Sequence, residues 1–207
     1  MNPKAVVAAG YDAIADRFAD WKTGVVGDAR DEWLADLLVR LPERPDVLEL
    51  GCGAEPSRAL MDRGRLTGVD LSAEQIRRAS ARFPAATFVH ADATTLDFPP
   101  ASFDAVVAFF VLGHVPHGEM AELLQRIASW LRPGGWFLAT MGARGLGERV
   151  EDDWLGVPMF FSGLHEDESR ALVRAAGLDL VRDQVITQRE PDHGDIAFLW
   201  ILARRAG

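Results

Sequence analysis

The sequence predicts an α/β fold in which helices cover both faces of a mostly parallel sheet that ends in an antiparallel hairpin. Two observations lead to this class. Short apolar runs alternate with amphipathic stretches from residue 46 to residue 142, which is typical of parallel strands joined by helices. Farther on, two strand-like runs are separated only by "PDHG". This connection is too short for a parallel crossover, so the pair must be antiparallel.

The predicted elements follow one another along the whole chain. They are helices 4–20 and 29–41, strand 46–50, a helix with Pro56 in its first turn, strand 65–70, helix 73–82, strands 86–92 and 103–112, helix 118–131, strand 136–142, helix 165–177 and hairpin strands 178–190 and 195–205. Ser72 and Gln75 predict a capping box for the helix that follows them. In the first helix, aromatic residues recur at helical spacing, which favours core packing or, alternatively, a lid.

The composition limits the kinds of protein to consider. The chain has 207 residues, enough for one domain with a sizeable core. Its formal net charge of −9 argues against a nucleic-acid partner, which needs a basic surface. One cysteine excludes an internal disulfide framework, and the sequence predicts neither a signal peptide nor a membrane span. We therefore expect a cytoplasmic protein that binds neither nucleic acid nor a membrane.

Residues suited to binding a ligand lie at the ends of three successive strands. They are Glu49, Gly51, Cys52 and Gly53 at the first strand, Asp70 at the second, and Asp92 with Ala93 at the third. Ligands of open α/β sheets lie beyond the carboxyl ends of the strands. A single glycine turn is often only a tight connection, and a single aspartate is often a helix cap. The joint spacing predicts a nucleoside site, with Asp70 on the ribose and Asp92 on the adenine amino group.

The glycine turn indicates which nucleoside this is. A dinucleotide fold uses a third glycine and the helix N-terminus to hold a pyrophosphate, whereas this chain has Glu55 there. Carboxylates at Glu49 and Glu55 would repel a phosphate. S-adenosylmethionine fits better, because it carries a sulfonium and an ammonium and no phosphate.

The motifs also carry a family resemblance. The runs "VLELGCGAEPS", "LTGVDLS", "HADATTLDFPPASFDAVVAFFVLGHV" and "LRPGGWFLAT" resemble, in order, those of class I S-adenosylmethionine-dependent methyltransferases, particularly bacterial enzymes acting on small molecules. The resemblance covers residues 10 to 205. It implies a Rossmann-like three-layer sandwich with seven strands. One departure is Glu55-Pro56, where the family usually has another glycine and a longer turn.

The resemblance implies a role for each matching residue. Gly51 and Gly53 would approach the methionine part through their backbone, Asp70 would hold the ribose, Leu71 would flank the adenine, Asp92 and Ala93 would meet its edge, Phe109 would line the methyl side, and Tyr11 would close over the donor. The chain would be one methyltransferase domain over 1–207, with a helical cap over 1–44, a nucleoside-binding core over 45–142, and an acceptor-side segment with the closing hairpin over 143–207.

Methyl transfer from a sulfonium needs alignment and a dry site, and needs a base only if the acceptor must lose a proton. It needs no metal, and the spacing of His114 and His117 is weak evidence for one. His114, which follows the fourth strand, is the candidate base; the alternative is a loop or cap histidine. Cys52 fits a small residue in a tight turn better than a nucleophile, since no base is paired with it.

The acceptor pocket is predicted from aromatic residues. Phe110 and His114 follow the fourth strand, and the apolar segment 151–165 contributes Trp154, Met159 and Phe160; the alternative is a loop packed on the core. We therefore expect transfer of a methyl group from S-adenosylmethionine to oxygen or nitrogen of a small molecule. The rivals are a nucleoside-binding protein without catalysis and an NAD-dependent oxidoreductase. The sequence does not indicate an oligomeric state.

Overall fold

The structure of the protein is a computed structural model that describes residues 2–207. Its strands are β1 (Asp46–Leu50), β2 (Arg65–Asp70), β3 (Thr87–His90), β4 (Phe103–Ala108), β5 (Leu131–Gly142), β6 (Arg144–Trp154), β7 (Val157–His165), β8 (Leu178–Glu190) and β9 (Gly194–Arg205). Its α-helices are α1 (Pro3–Ala13), α2 (Ala15–Lys22), α3 (Arg30–Leu38), α4 (Arg58–Arg63), α5 (Ala73–Arg82), α6 (His117–Trp130) and α7 (Glu166–Ala175).

The central sheet has seven strands in the order β3-β2-β1-β4-β5-β9-β8. The first five are parallel, whereas β9 runs antiparallel to both β5 and β8. The predicted Rossmann-like class and its antiparallel closing hairpin are therefore confirmed. Strand order reverses at β1, which lies between β2 and β4, so a crevice opens at the carboxyl ends of these strands.

Both faces of the sheet are buried, because its central strands are apolar at consecutive positions. Val47 and Val107 pack against α3 and α4 on one face, and Leu48 and Val106 pack against α6 and α7 on the other. Among residues 2–207, no helix is long and apolar enough to cross a membrane.

The predicted first helix is wrong in one respect: it is two helices. Ile14 separates α1 from α2, with backbone angles of φ −109° and ψ 14° that leave the helical region. Its side chain is buried in a third apolar cluster, which α1 forms with the β6–β7 hairpin. The apolar period continues across this break, so periodicity alone does not detect it.

The segment expected to lie between regular elements is instead a second, two-stranded antiparallel sheet of β6 and β7. Leu155 and Gly156 connect the strands, with φ values of +53° and +84°, and positive φ at both central residues is the geometry of a tight hairpin turn. Glycines and charged residues dominate β6, so its sequence has little of the pattern of a strand. The hairpin arises from cross-strand pairing and from packing on α1.

Several predicted boundaries are wrong by a few residues. Pro56 precedes α4, which begins at Arg58 after Ser57. Strand β3 ends at His90 and β4 at Ala108, so Asp92 and Phe109 lie in loops, and Leu112–His114 form a short 3-10 helix instead of the end of a strand. Both Asp92 and Phe109 line the crevice.

A substitution at Gly142 tests the packing of β7 against the end of β5. A Cβ atom at this position would lie 2.5 Å from the backbone nitrogen of Leu164 and 2.6 Å from its oxygen. We expect Gly142→Ala to displace β7 and to lower the free energy of unfolding by about 1–3 kcal/mol, measured by urea denaturation. Gly118→Ala is the control, since nothing lies within 4 Å of its Cβ position. Equal stability of the two variants would contradict this packing.

Candidate active site

The turn after β1 presents its backbone to the crevice. Gly51 and Gly53 have φ values of +64° and +59°, in the left-handed region that favours glycine. A Cβ atom on Gly51 would lie 2.5 Å from Cβ of Val111. A side chain is therefore excluded at Gly51, and the backbone of the turn is open to the crevice at both glycines.

Asp70 connects this turn to the start of α5. Its Oδ2 accepts a hydrogen bond from the Gly53 amide at 2.8 Å, and its Oδ1 accepts one from the Ser72 amide at 2.9 Å. Burial raises the pKa of Asp70, and the two amide hydrogen bonds act to lower it. Each oxygen keeps a second lone pair, so the carboxylate can still receive ribose hydroxyls.

The predicted capping box at α5 forms only in part. Ser72 Oγ accepts from the Gln75 amide at 3.1 Å, but the Gln75 side chain does not return the bond, because Asp70 already holds the Ser72 amide. Instead, Gln75 Oε1 accepts from the Ala54 amide at 2.8 Å. Gln75 Nε2 is buried without a partner and belongs to a side chain that lines the crevice.

Glu49 is a buried carboxylate with both oxygens hydrogen-bonded. It is buried, and its two oxygens accept from the amide and hydroxyl of Ser57 at 2.9 and 2.7 Å. Burial raises its pKa, opposed by Ser57 and by the charge of Arg30. The side chain thus ties the end of β1 to the start of α4 and also lines the crevice.

Two cations offset the negative charge of Glu55, which the sequence predicts would repel a phosphate. Its carboxylate forms ion pairs with Arg82 and, at 3.8 Å, with Lys22. Burial lowers the pKa of Lys22, and the charge of Glu55 acts against that effect. The departure at Glu55-Pro56 therefore links the shortened turn to α2 and α5 through charge, which a single-sequence motif comparison cannot reveal.

Asp92 lies against the first helix. Lys4 of α1 places its Nζ 2.7 Å from Asp92 Oδ2 and 2.7 Å from Glu119. Partial burial acts to raise the pKa of Asp92, but the bonds from Lys4 and Thr94 outweigh it, so the pKa lies below its usual value. Asp92 is thus an anion already paired with a cation, and it lines the crevice together with Leu71 and Ala93.

Two adjoining cavities occupy the crevice. The smaller, about 140 Å³, lies over the glycine turn, Asp70 and Asp92, and the larger, about 950 Å³, lies between α2, β8 and the β6–β7 hairpin. The residues that line both are Tyr11, Phe18, Lys22, Arg30, Glu55, Phe110 and His114. The residues that the sequence predicts for the donor line the smaller cavity, and the larger cavity adjoins it.

His114 stands at this junction and is held on both sides. Its Nδ1 lies 2.7 Å from the carbonyl oxygen of Phe160, and its Nε2 lies 2.9 Å from the hydroxyl of Tyr11. A carbonyl only accepts, so Nδ1 carries the proton, and Nε2 accepts from Tyr11. Burial lowers the pKa of His114, so the ring is neutral at pH 7, with its basic nitrogen toward the junction.

The predicted acceptor residues divide into two groups. Phe110, His114 and Trp154 line the larger cavity. Met159 and Phe160 do not: their side chains are buried in the cluster beneath α1. Because successive residues of a strand point to opposite faces, the hairpin turns Phe161 to the cavity and Phe160 to the core. Only the carbonyl of Phe160 serves the site.

Two further predicted residues are packed into the protein. Phe109 lines the smaller cavity and is buried against Trp200, with ring centroids 5.5 Å apart. Cys52 also lines it, and burial, with the charges of Asp70 and Glu49, raises the pKa of its thiol. The thiol is therefore neutral at pH 7 and not an activated nucleophile. Within residues 2–207, no three His, Cys, Asp or Glu side chains come together as a metal site.

Several residues of the site lack a sequence signal. Arg30, at the start of α3, places its guanidinium 5.1 Å from the ring centre of Phe109 and 5.4 Å from that of Phe110. Its Nε is buried without a hydrogen-bond partner. Lys22 and the β8 residues Gln188 and Glu190 also line the cavities. They come from parts of the chain far from the motifs, so only the folded chain brings them to the site.

The chain is similar in sequence to known methyltransferases. A family described as a methyltransferase domain matches residues 47–135. The 27-O-demethylrifamycin SV methyltransferase of Amycolatopsis mediterranei is 32% identical over 204 residues, covering 84% of this chain and 73% of that protein.

Two solved structures share the fold. The Burkholderia thailandensis 1,6-didemethyltoxoflavin-N1-methyltransferase, with bound 1,6-didemethyltoxoflavin and S-adenosylhomocysteine, has a TM-score of 0.65 and 23% identity, covering 97% of this chain and 91% of that one. The Synechocystis magnesium protoporphyrin IX methyltransferase, with bound S-adenosylmethionine, has a TM-score of 0.71 and 17% identity, covering 100% and 98%.

The sheet order, the glycine turn and these relatives together define an enzyme that transfers methyl groups. The chain belongs to the class I S-adenosylmethionine-dependent methyltransferases. Its methyl donor is S-adenosylmethionine. This result decides against both rivals, the NAD-dependent oxidoreductase and the nucleoside-binding protein without catalysis.

Asp70→Asn tests the donor site. Asparagine has one acceptor oxygen, so it cannot accept from both the Gly53 and the Ser72 amide as the two carboxylate oxygens do. The substitution also removes the negative charge that would receive the ribose hydroxyls. We expect the affinity for S-adenosylhomocysteine to fall by about tenfold or more, measured by calorimetry. Asp62→Asn, on the exposed surface of α4, is the control. Unchanged binding by Asp70→Asn would remove Asp70 from the site.

Proposed function

We propose that this enzyme methylates a hydroxyl oxygen of a small, partly aromatic molecule, with His114 as the base. The observation that carries the proposal is the hydrogen-bonded chain from Tyr11 through His114 to the carbonyl of Phe160, at the junction of the two cavities. A hydroxyl must lose its proton to become a good nucleophile, whereas a neutral amine attacks through its lone pair. A neutral base at the junction therefore favours O-methylation over N-methylation.

The residues of the smaller cavity fit the donor. Two glycines with positive φ, an acid at the end of β2 and the unpartnered Gln75 amide match a nucleoside joined to an amino acid. We assign Asp70 to the ribose, Asp92 with Leu71 and Ala93 to the adenine, and Gly51 and Gly53 to the methionine part. When bound, S-adenosylmethionine supplies an electrophilic methyl group and leaves as S-adenosylhomocysteine.

Arg30 is our candidate for holding the methionine carboxylate. Arg30 lines both cavities, and its positive charge acts to lower the pKa of Glu49. Its Nε has no hydrogen-bond partner. Lys22 lines the same junction. A guanidinium is well suited to a carboxylate, since its planar N–H groups match the two oxygens. This would let the chain grip the methionine end although Glu55-Pro56 replaces the usual glycine.

Tyr11 connects the acceptor to the base. Its hydroxyl donates to His114 Nε2 and retains lone pairs that can receive the acceptor's O–H. Burial, with the charges of Asp70 and Glu190, raises the pKa of Tyr11, so a free tyrosinate is unfavourable. Tyr11 therefore takes the acceptor's proton as it passes its own to His114. The acceptor oxygen bonds to the methyl carbon as the carbon–sulfur bond breaks.

The wall of the larger cavity indicates the kind of acceptor. Trp21, Trp154, Phe18 and Phe161 line it, and the ring centroids of Trp21 and Trp154 lie 5.9 Å apart. Aromatic faces favour a flat, apolar body through offset or edge contacts. The relatives named for rifamycin, toxoflavin and protoporphyrin substrates support a small molecule. We propose that nucleic acid is not the acceptor and that the reaction takes place in the cytoplasm.

Arg30→Gln tests the grip on the methionine end. We expect affinity for S-adenosylhomocysteine to fall by about tenfold or more, because a charge-assisted pair is lost. Affinity for 5′-methylthioadenosine, which lacks the amino-acid group, should not change. Calorimetry with both ligands measures the difference, and Arg58→Gln is the exposed control. An equal loss for the two ligands would place Arg30 elsewhere.

His114→Gln tests the base. We expect kcat to fall by about 10²- to 10³-fold and the affinity for S-adenosylhomocysteine to stay the same, measured on a small-phenol substrate. Tyr11→Phe should also lower kcat, because the relay loses its middle oxygen. His165→Gln, at the exposed N-cap of α7, is the control. A rate unchanged by His114→Gln would rule out this base.

The lowered pKa of His114 predicts how the rate and the stability of the enzyme change with pH. Burial places the pKa of His114 below its ordinary 6.5, so the base is mostly neutral at pH 7 and gains a proton only under more acidic conditions. The rate of wild-type turnover should therefore hold as pH falls from 8 to 7 and decline under more acidic conditions. Below 6.5 the unfolded chain binds a proton that the folded chain resists, so the wild type should lose stability there, and His114→Gln should lose less. A rate that falls between pH 8 and 7 would contradict a neutral His114.

A further inference from the structure

The larger cavity carries polar groups that the proposed proton relay does not use. Gln188 of β8 lines this cavity and is only 5% exposed, and its Oε1 has no hydrogen-bond partner. Ser162 of β7 lines it too, at 4% exposure, and its Oγ is also unpartnered. Buried polar atoms are rarely left unpaired in folded proteins. Two of them on the wall of one cavity indicate that a ligand completes their hydrogen bonds.

The contacts of Gln188 determine which kind of group it can bind. Its Nε2 donates one of its two hydrogens to Glu190 Oε1 at 2.9 Å, whereas its Oε1 has no hydrogen-bond partner. The atom without a partner is therefore an acceptor. Glu190, on the same wall, adds a carboxylate, and neighbouring Glu151 already holds the guanidinium of Arg149 at 2.7 Å. This corner of the cavity accepts hydrogen bonds and disfavours anions.

We propose that Gln188 and Glu190 bind a hydroxyl or amine group at the far end of the acceptor, away from the oxygen that is methylated. The acceptor then has two polar ends, one at Tyr11 and His114 and the other at Gln188 and Glu190, with an aromatic body between them. The proposal rests on the proposed function in taking the larger cavity as the acceptor site. It assigns the specificity of the enzyme to the end of β8, which carries none of the motifs.

Three phenols with similar tails test this corner. Tyrosol ends in a hydroxyl, 4-propylphenol in a methyl group, and 3-(4-hydroxyphenyl)propanoate in a carboxylate. Their affinities are measured by calorimetry on the full chain saturated with S-adenosylhomocysteine. We expect tyrosol to bind about tenfold more tightly than 4-propylphenol, in line with one hydrogen bond to a buried acceptor, and the carboxylate to bind weakest.

Gln188→Leu should remove the preference for tyrosol while leaving 4-propylphenol and S-adenosylhomocysteine binding unchanged. Gln184→Leu, exposed on the same strand, is the matched control. If Gln188→Leu does not fold, Glu190→Leu, which is not fully buried, should reduce the preference in the same way. Equal binding of tyrosol and 4-propylphenol by the wild type, a preference that survives in the variants, tightest binding of the carboxylate, or no binding of any phenol would each overturn the proposal.

Failure of this proposal is distinguishable from failure of the proposed function. The binding preference is measured without turnover, whereas the role of His114 is measured by rate. A preference that depends on Gln188, together with a rate that does not depend on His114, would support the acceptor corner and reject the base. The opposite pair of results would do the reverse.

Discussion

The hydrogen bond from His114 to the carbonyl of Phe160 is the contact on which the site depends. It joins the loop after β4 to the β6–β7 hairpin, and the Tyr11 hydroxyl then joins both to α1. Three separate parts of the chain therefore meet at one imidazole. Because the carbonyl accepts only, this single contact also sets the tautomer and leaves the basic nitrogen toward the junction of the two cavities. Position, protonation state and orientation of the ring all follow from it.

The charged groups around the crevice are arranged in pairs. Asp92 is held by Lys4, Glu55 by Arg82 and Lys22, and Glu49 by the two donors of Ser57. Through Lys4 and Lys22, α1 and α2 are tied to loops at the carboxyl edge of the sheet, and both lysines line the crevice. A charged methyl donor would thus enter a site whose own carboxylates are already oriented, which lowers the reorganisation needed on binding.

The prediction of the fold was largely correct, because its signals are local. The apolar strands, the capping serine before α5 and the short "PDHG" connection each depend on neighbouring residues. The errors lie where tertiary contacts decide. Ile14 interrupts a helix whose period continues, and β6 pairs as a strand although its sequence is rich in charge and glycine. At Met159 and Phe160, composition suggested a pocket, but strand alternation turns Phe160 away from the cavity, and the Met159 side chain packs against Gly10 of α1.

The sequence by itself determined the fold class, the glycine turn after β1, and the acids Asp70 and Asp92 at the ends of the next two strands, because the signals for each lie in residues close together along the chain. It also nominated His114. Only the tertiary structure decided that Tyr11 and the Phe160 carbonyl hold this ring, that Lys4 pairs with Asp92, and that Arg30, Gln188 and Glu190 line the site. The physical reason is that these partners lie far apart along the chain. Hydrogen bonds and ion pairs act over a few ångströms of space, so no local pattern records which residues the fold brings together.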